Sequence, residues 1–288
     1  MSDVATRTPE SDDRDPFVAL EQRRRPGRLE LAVADLLGGL GRSWIWSAMA
    51  WQDIRQRYRR SVLGPFWLTI SMTFMILTLG FLYSSLFNLP IDDYLPYLTL
   101  GMLFWTFIAT VVNEGCVCFI EGELMIRQVR MPFSTHVYRT IHRNLIILAH
   151  NVVVYVAVQI WFHLPLSAYS LLVIPGLAIL LLNAVWVCIL LGMICARFRD
   201  VIPIVASLVQ IWFFVTPILW DPSSLGGRHL WLVGFNPVYA MVEIVRAPLL
   251  GQPLAASQYL LAIGMTIAGS AFAFAFFTRF RARIPFWV

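Results

Sequence analysis

No aspartate, glutamate, arginine or lysine occurs between Asn144 and Ala196. That uncharged stretch limits the fold more than any other feature of the chain. About 20 apolar residues in a helix cover the roughly 30 Å of a bilayer's hydrocarbon core. The stretch is too long for one crossing and is broken at His163-Leu-Pro-Leu-Ser, so it holds two. A second charge-free run extends from Ser61 to Ile91. Only 14% of the residues are charged, against about 25% in an ordinary soluble domain, and mean hydropathy is +0.69. The pattern predicts an all-α integral membrane protein with six transmembrane helices, near 67–87, 97–118, 143–163, 171–195, 201–220 and 258–278.

All 22 basic residues are arginine, and the sequence has no lysine. A Walker A loop needs a lysine on the phosphates, and a Schiff-base enzyme needs one as nucleophile. This sequence therefore binds no ATP through a P-loop of its own. The arginines lie in short clusters between apolar runs, which is a topology signal rather than a nucleic-acid surface. Residues 1–28 are polar and read as a disordered arm without a signal peptide, so the start is expected to stay in the cytoplasm. With that start and six spans, 20 arginines fall inside, and only Arg228 and Arg246 outside. The positive-inside rule then places both termini in the cytoplasm.

Residues 29–62 precede the six-helix region, 63–288. Leu29, Ala32, Val33, Leu36, Leu37 and Leu40 fall on one stripe of a helix, weakened at its end by Gly38, Gly39 and Gly41. A second amphipathic stretch carries Trp44, Ala48, Trp51 and Tyr58 beside Arg55, Arg57, Arg59 and Arg60. It suits a helix lying in the membrane interface, or alternatively a soluble helix packed on a partner. Between spans five and six, Asn236-Pro237 offers an N-cap followed by proline at the first helical position, and Gly251 can close the helix. That apolar segment is too short to span and reads as re-entrant or interfacial on the outer side.

Enzyme signatures are missing. His136, His142, His150 and His163 have no acidic partner at a familiar spacing, Asp92-Asp93 is not a DxD motif, and the four cysteines form no CxxC. No metal site is expected. Glu114, late in span two, is either a functional intramembrane carboxylate or a group near the cytoplasmic end that reaches water or an arginine. The inner loop from Glu121 to Phe133 mixes Glu121, Glu123, Arg127 and Arg130 with Leu124, Met125, Ile126 and Val129. It is either a short amphipathic docking helix or a solvated loop that only sets topology. Aromatic residues are dense: Phe74 and Phe81 in span one, Trp105 in span two, Phe213, Phe214 and Trp220 in span five. Most belong to packing or to interfacial belts. A minority could line a path, because ring faces hold sugars without demanding charge.

In order along the chain, these motifs resemble a known family. Trp51-Gln-Asp-Ile-Arg-Gln-Arg-Tyr-Arg-Arg-Ser-Val-Leu-Gly-Pro-Phe-Trp67 is similar to the opening segment of the membrane subunit of polysaccharide ABC exporters. Tyr97–Trp105, Leu124–Pro132, Ala196–Asp200 with Thr216–Trp220, and Asn236-Pro237 through Arg246 resemble its later segments, over about residues 40–280. The resemblance implies a permease half-transporter that dimerises around a central path in a bacterial inner membrane. Its cargo would be an undecaprenyl-linked polysaccharide such as O-antigen. No cofactor is expected in this chain; ATP and Mg would be bound by a partner ATPase. The partner would dock at 121–133 through Glu121, Glu123, Met125, Arg127 and Arg130. The interface helix would use Trp51, Arg55, Tyr58 and Arg59. The outer gate would use Asn236, Pro237 and Arg246. The acidic Glu121 and Glu123 depart from the family pattern. A membrane enzyme of glycan assembly, a permease for a smaller lipid or drug and a docking scaffold are the competing readings.

Overall fold

The computed structural model describes residues 27–59, 61, 64, 66–164, 167–222, 233–253 and 255–288. The expected disordered arm, apart from Gly27 and Arg28, lies outside the described residues, as do Arg60 and Arg228 and the middle of the connection between spans five and six. The described residues form helices and no strands. In chain order these are α1 (Arg28–Gly41), α2 (Ser43–Arg57), α3 (Phe66–Phe87), α4 (Ile91–Val117), α5 (Glu123–Gln128), α6 (Ser134–Trp161), α7 (Val173–Arg197), α8 (Val201–Val215), α9 (Pro237–Leu249), α10 (Ala256–Phe280) and α11 (Ile284–Trp287). A 3₁₀ turn at Ala168–Leu172 leads into α7, and another at Arg281–Arg283 joins α10 to α11.

Five segments are long and apolar enough to cross a membrane: α3, α4, α6, α7 with its leading 3₁₀ turn, and α10 with the C-terminal turns. The apolar helix α8 is shorter. Its chain leaves the helix at Thr216, so Thr216–Trp220 is a non-helical extension of the expected fifth span. In lipid every backbone N–H and C=O must be bonded within the protein, which restricts lipid-exposed crossings to helices of this kind.

The hydrophobic core is built around α4. Leu98, Leu100, Leu103, Phe107 and Val111 are buried along it, and it packs against both α6 and α7. Helix α10 packs on α7, and α3 on α4 and α6. By contrast α3 and α8 leave most of their surface bare, with Phe74, Phe81, Ile204 and Phe214 more than half exposed. Such apolar surface is at home against lipid or another apolar helix. Close approach is enforced by glycine at Gly176, where an added Cβ would lie 2.5 Å from the Ile244 carbonyl of α9.

Helix α1 buries only part of its expected stripe, Ala32 with Leu36 packed beside it. Leu29, Leu37 and Leu40 are exposed, and the face packed on α6 and α10 carries Ala32, Asp35 and Gly39. The cause is local and polar. The Asp35 carboxylate accepts from the backbone N–H groups of Phe133 and Ser134, at 3.1 and 3.0 Å, and from Arg281 Nε at 3.0 Å. It thereby satisfies donors at the start of α6 that the helix itself cannot. Gly39 allows the contact, since a Cβ there would meet the Ser134 hydroxyl at 2.2 Å.

Candidate functional site

The charged side chains of the bundle gather at its two ends. At one end lie the N-terminus of α6, the C-termini of α4, α7 and α10, and helices α1, α2 and α5. Arg143 is buried here although it sits in α6, which begins at Ser134. Its guanidinium meets Glu114 Oε2 through Nη2 at 2.8 Å and Nε at 3.1 Å, and Asp53 Oδ2 through Nη1 at 3.1 Å. Asp53, on α2, also holds Arg139 through both carboxylate oxygens. Glu114 further accepts from Arg57 Nη2 at 3.0 Å and from Asn144 Nδ2 at 2.6 Å. Glu121 Oε2 lies 3.7 Å from Arg143 Nη2, so three acids face three arginines and every one of these charges has an opposite within ion-pair reach. Glu114 thus reaches two arginines, Arg57 and Arg143. Burying one of these charges alone would be costly, whereas the network compensates them together.

The network ties α2 to the bundle. Trp51, Arg55 and Arg59 remain exposed on it, while Tyr58 is half-buried. Burial raises the Tyr58 phenol above its ordinary pKa; the neighbouring Arg57 opposes this and the Glu114 carboxylate adds to it. Trp46 instead packs edge-on against His142, 5.0 Å between ring centres.

Helix α5 lies at the same end. Arg127 pairs with Glu123 one turn earlier, at 3.0 Å, and donates to the backbone oxygen of Val288. None of its residues is buried: Leu124 is 74% exposed and Met125 half-buried, and the flanking Glu121, Val129 and Arg130 are exposed. A bare leucine flanked by both charge signs is chemistry suited to contact with another protein.

The opposite end is organised by Arg246, on α9, which is completely buried. Nε and Nη2 meet Glu243 Oε2 at 3.0 and 2.6 Å, and Nη1 donates to the Pro217 carbonyl at 2.9 Å. The guanidinium lies 3.9 Å from the centre of the Tyr97 ring and 5.8 Å from that of Tyr239. The Tyr97 hydroxyl donates to the carbonyls of Pro217 and Trp220, and that of Tyr94 to Leu219. One cation and two phenols thus hold the Pro217, Leu219 and Trp220 carbonyls of the non-helical segment that follows α8. Asn236 caps α9, accepting from the N–H groups of Val238 and Tyr239 at 3.0 and 3.1 Å, with Pro237 at the first helical position. Its amide nitrogen donates to Thr216 Oγ1 at 3.2 Å.

The candidate aromatic residues do not form one cluster. Trp105 and Phe213 pack together, ring centres 5.6 Å apart, and Phe214 lies edge-on to Phe213 at 5.2 Å. They line a groove of about 470 Å³ between α4 and α8, edged by Met75 of α3. Trp220 is outside it, its indole N–H on the Phe214 carbonyl at 3.3 Å. Phe81 lines a separate apolar groove between α3 and α6, and Phe74 is exposed on α3. The four cysteines are buried free thiols, and among the described residues no cluster of His, Cys, Asp and Glu has the makings of a metal site.

Sequence reasoning passed over Asp35, Asp53 and Glu243, and used Arg139 and Arg143 only as topology signals. The Glu243/Arg246 pair at i,i+3 and the Arg139/Arg143 repeat at i,i+4 in an apolar helix were the available signs.

A helical bundle with five helices of membrane-crossing length, its charges drawn to the two ends, is a multi-pass membrane protein. Residues 46–250 match the ABC-2 type transporter family, and the chain belongs to that family. Among its relatives is the O-antigen export system permease protein RfbA of Myxococcus xanthus, 25% identical over 68% of this chain and 76% of the relative. Two proteins of the same name from Klebsiella pneumoniae are 21% and 22% identical. They cover 76% and 66% of this chain and 87% and 74% of their own lengths.

Proposed function

We propose that this chain is the permease subunit of an ATP-driven exporter that moves a lipid-linked, O-antigen-like polysaccharide across a bacterial inner membrane. The observation that carries the reading is the collinear likeness to O-antigen export permeases over most of both chains, within a family match at 46–250. The missing lysine supports the division of labour: with no P-loop lysine in this sequence, ATP and Mg belong to a separate ATPase subunit. That subunit docks on α5, through the exposed Leu124, Arg127 and Arg130 and the flanking Glu121, Glu123 and Met125.

In this reading the chain crosses six times, α8 with Thr216–Trp220 making the fifth crossing and α9 entering the membrane from outside without crossing. The end bearing Arg143 is cytoplasmic, together with both termini, and the end bearing Arg246 is external. Helices α1 and α2 lie at the cytoplasmic interface, with Trp51, Arg55, Tyr58 and Arg59 towards headgroups. Two copies form the path between them, the cargo being carried on undecaprenyl, with Asn236, Pro237 and Arg246 setting the outer gate. Phe74, Phe81, Trp105, Phe213, Phe214 and Trp220 are the aromatic candidates along the path.

The test is complementation. A strain lacking its own O-antigen permease, supplied with this chain and its ATPase, is expected to display surface glycan. Glycan turnover by the purified chain without any ATPase would instead identify a membrane enzyme.

A further inference from the structure

Helix α11 is short, but its two faces differ sharply. Ile284 and Val288, four residues apart, share one side and are buried, and Pro285 sits in the first turn. Phe286 stands two residues from each, about 200° round a helix, and is 85% exposed. Helix α5 repeats the arrangement: Ile126 packs against the core, and Leu124, two residues earlier, is bare. The two helices pack together. Arg127 of α5 donates to the backbone oxygen of Val288, and Trp287 lies against Phe280, ring centres 6.1 Å apart. Both bare side chains therefore point away from the bundle, on neighbouring helices at the same end.

The charge around Phe286 has one sign. The Arg197 guanidinium lies 5.4 Å from the centre of the Trp287 ring and 5.1 Å from that of Phe198, itself exposed, so α11 also adjoins the connection from α7 to α8. Arg197, Arg279 and Arg283 are exposed, and among the described residues none of them has a carboxylate within ion-pair reach. Glu123 and Asp35 are already paired, with Arg127 and Arg281. A bare phenyl ring amid unpaired arginines is complemented by an apolar pocket with carboxylates at its edge. Aromatic and arginine side chains are also the residues in which protein interfaces are enriched. Continuity with α5 selects a protein over lipid: Arg127 holds the two helices together, so a body that covers Leu124 meets Phe286 as well.

We propose that α11 is a second docking element for the ATPase subunit, with Phe286 entering an apolar pocket there and Arg197 and Arg283 meeting carboxylates at its rim. The proposal rests on the reading that the ATPase docks on α5, and it extends that surface to a segment 161 residues further along the chain. Buried Ile284 and Val288 fix the direction of the anchor before the partner binds, so little conformational freedom is lost on docking.

The test titrates the purified ATPase subunit onto the full-length permease in lipid nanodiscs and reads the stimulated ATP hydrolysis. Phe286→Ala is expected to raise the half-saturating concentration about tenfold, as for truncation of an aromatic interface anchor, with the rate at saturation unchanged. Phe286→Trp should keep the wild-type affinity within about twofold, since another aromatic ring fills the pocket. Phe272→Ala, at an exposed aromatic residue of α10, should change nothing. A photoreactive thiol label on Phe286→Cys is specific, because all four native thiols are buried, and it is expected to cross-link to the ATPase subunit. An unshifted half-saturation in Phe286→Ala, a fall in the saturating rate alone, or cross-linking to lipid or to a second permease would overturn the proposal. Arg130→Glu, run in parallel, separates it from the reading beneath it. If Arg130→Glu weakens binding and Phe286→Ala does not, α11 falls alone; if neither does, the ATPase docks elsewhere and both fall.

Discussion

Arg143 and Arg246 are both buried arginines in apolar helices, one at each end of the bundle, and they are held in different ways. Arg143 shares Glu114 with Arg57 and Asp53 with Arg139 and has Glu121 at 3.7 Å, so three arginines and three carboxylates balance one another. Arg246 has one carboxylate, from its own helix, and otherwise rests on a backbone carbonyl and two tyrosine rings. The first arrangement is redundant: helices may shift and the charges can re-pair. The second is specific, because a planar fork with five donors in fixed directions is needed to meet Glu243 and Pro217 while stacked on Tyr97. The end proposed to face the motor is therefore built to tolerate movement, and the opposite end to hold one geometry.

Arg246→Met gives the sharpest test of that contrast. It strands Glu243 and removes one of the two donors on the Pro217 carbonyl, and a loss of about 3–5 kcal/mol is expected, as for a broken buried pair. Thermal unfolding in detergent measures it, and Arg246→Lys should recover little because an ammonium cannot replace the fork. Arg143→Met should cost less, about 2–3 kcal/mol, since Arg57 and Arg139 still neutralise Glu114 and Asp53. The double variant with Glu114→Gln should be less destabilised than the sum of the two single changes. Equal losses at the two arginines would break the comparison.

Asp35→Ala should cost about 1–2 kcal/mol, because the N–H groups of Phe133 and Ser134 lose a carboxylate acceptor. Unchanged proteolytic resistance of the α1–α6 contact would argue against the cap. The smallest effect on stability, within about 0.5 kcal/mol, is expected from Arg130→Glu on the exposed surface beside α5. The same change should abolish stimulation of the partner ATPase by the transporter. ATPase rates of the purified complex report this, and undiminished coupling would remove α5 from the docking surface.

Much of the fold was legible in the sequence because membrane partition is a property of a local window. The apolar runs from Phe66, Val173 and Ala256 announce helices by length and composition alone, and the Asn236-Pro237 cap marks the start of α9 within a residue. Helix boundaries were less legible where polar residues continue a helix beyond its apolar part: α6 begins at Ser134, ahead of Arg139 and Arg143, because Asp35 from α1 satisfies its first donors. The exposed leucines of α1 mislead for the same reason. An apolar stripe predicts burial in water, whereas here the buried face is chosen by one aspartate and two small residues.

The sequence by itself determined a lysine-free, arginine-marked membrane chain with its apolar runs in order and its short capped helix before the last of them. Only the tertiary structure decided which charges meet. Arg57 and Glu114 are 57 residues apart, Asp53 and Arg139 are 86 apart, and Asp35 and Arg281 are 246 apart. No helical period links such positions. They pair because α6 packs on α4, α2 and α1, and α1 also on α10, which brings the ends of distant helices within reach of one another, and a charge buried there must find its opposite.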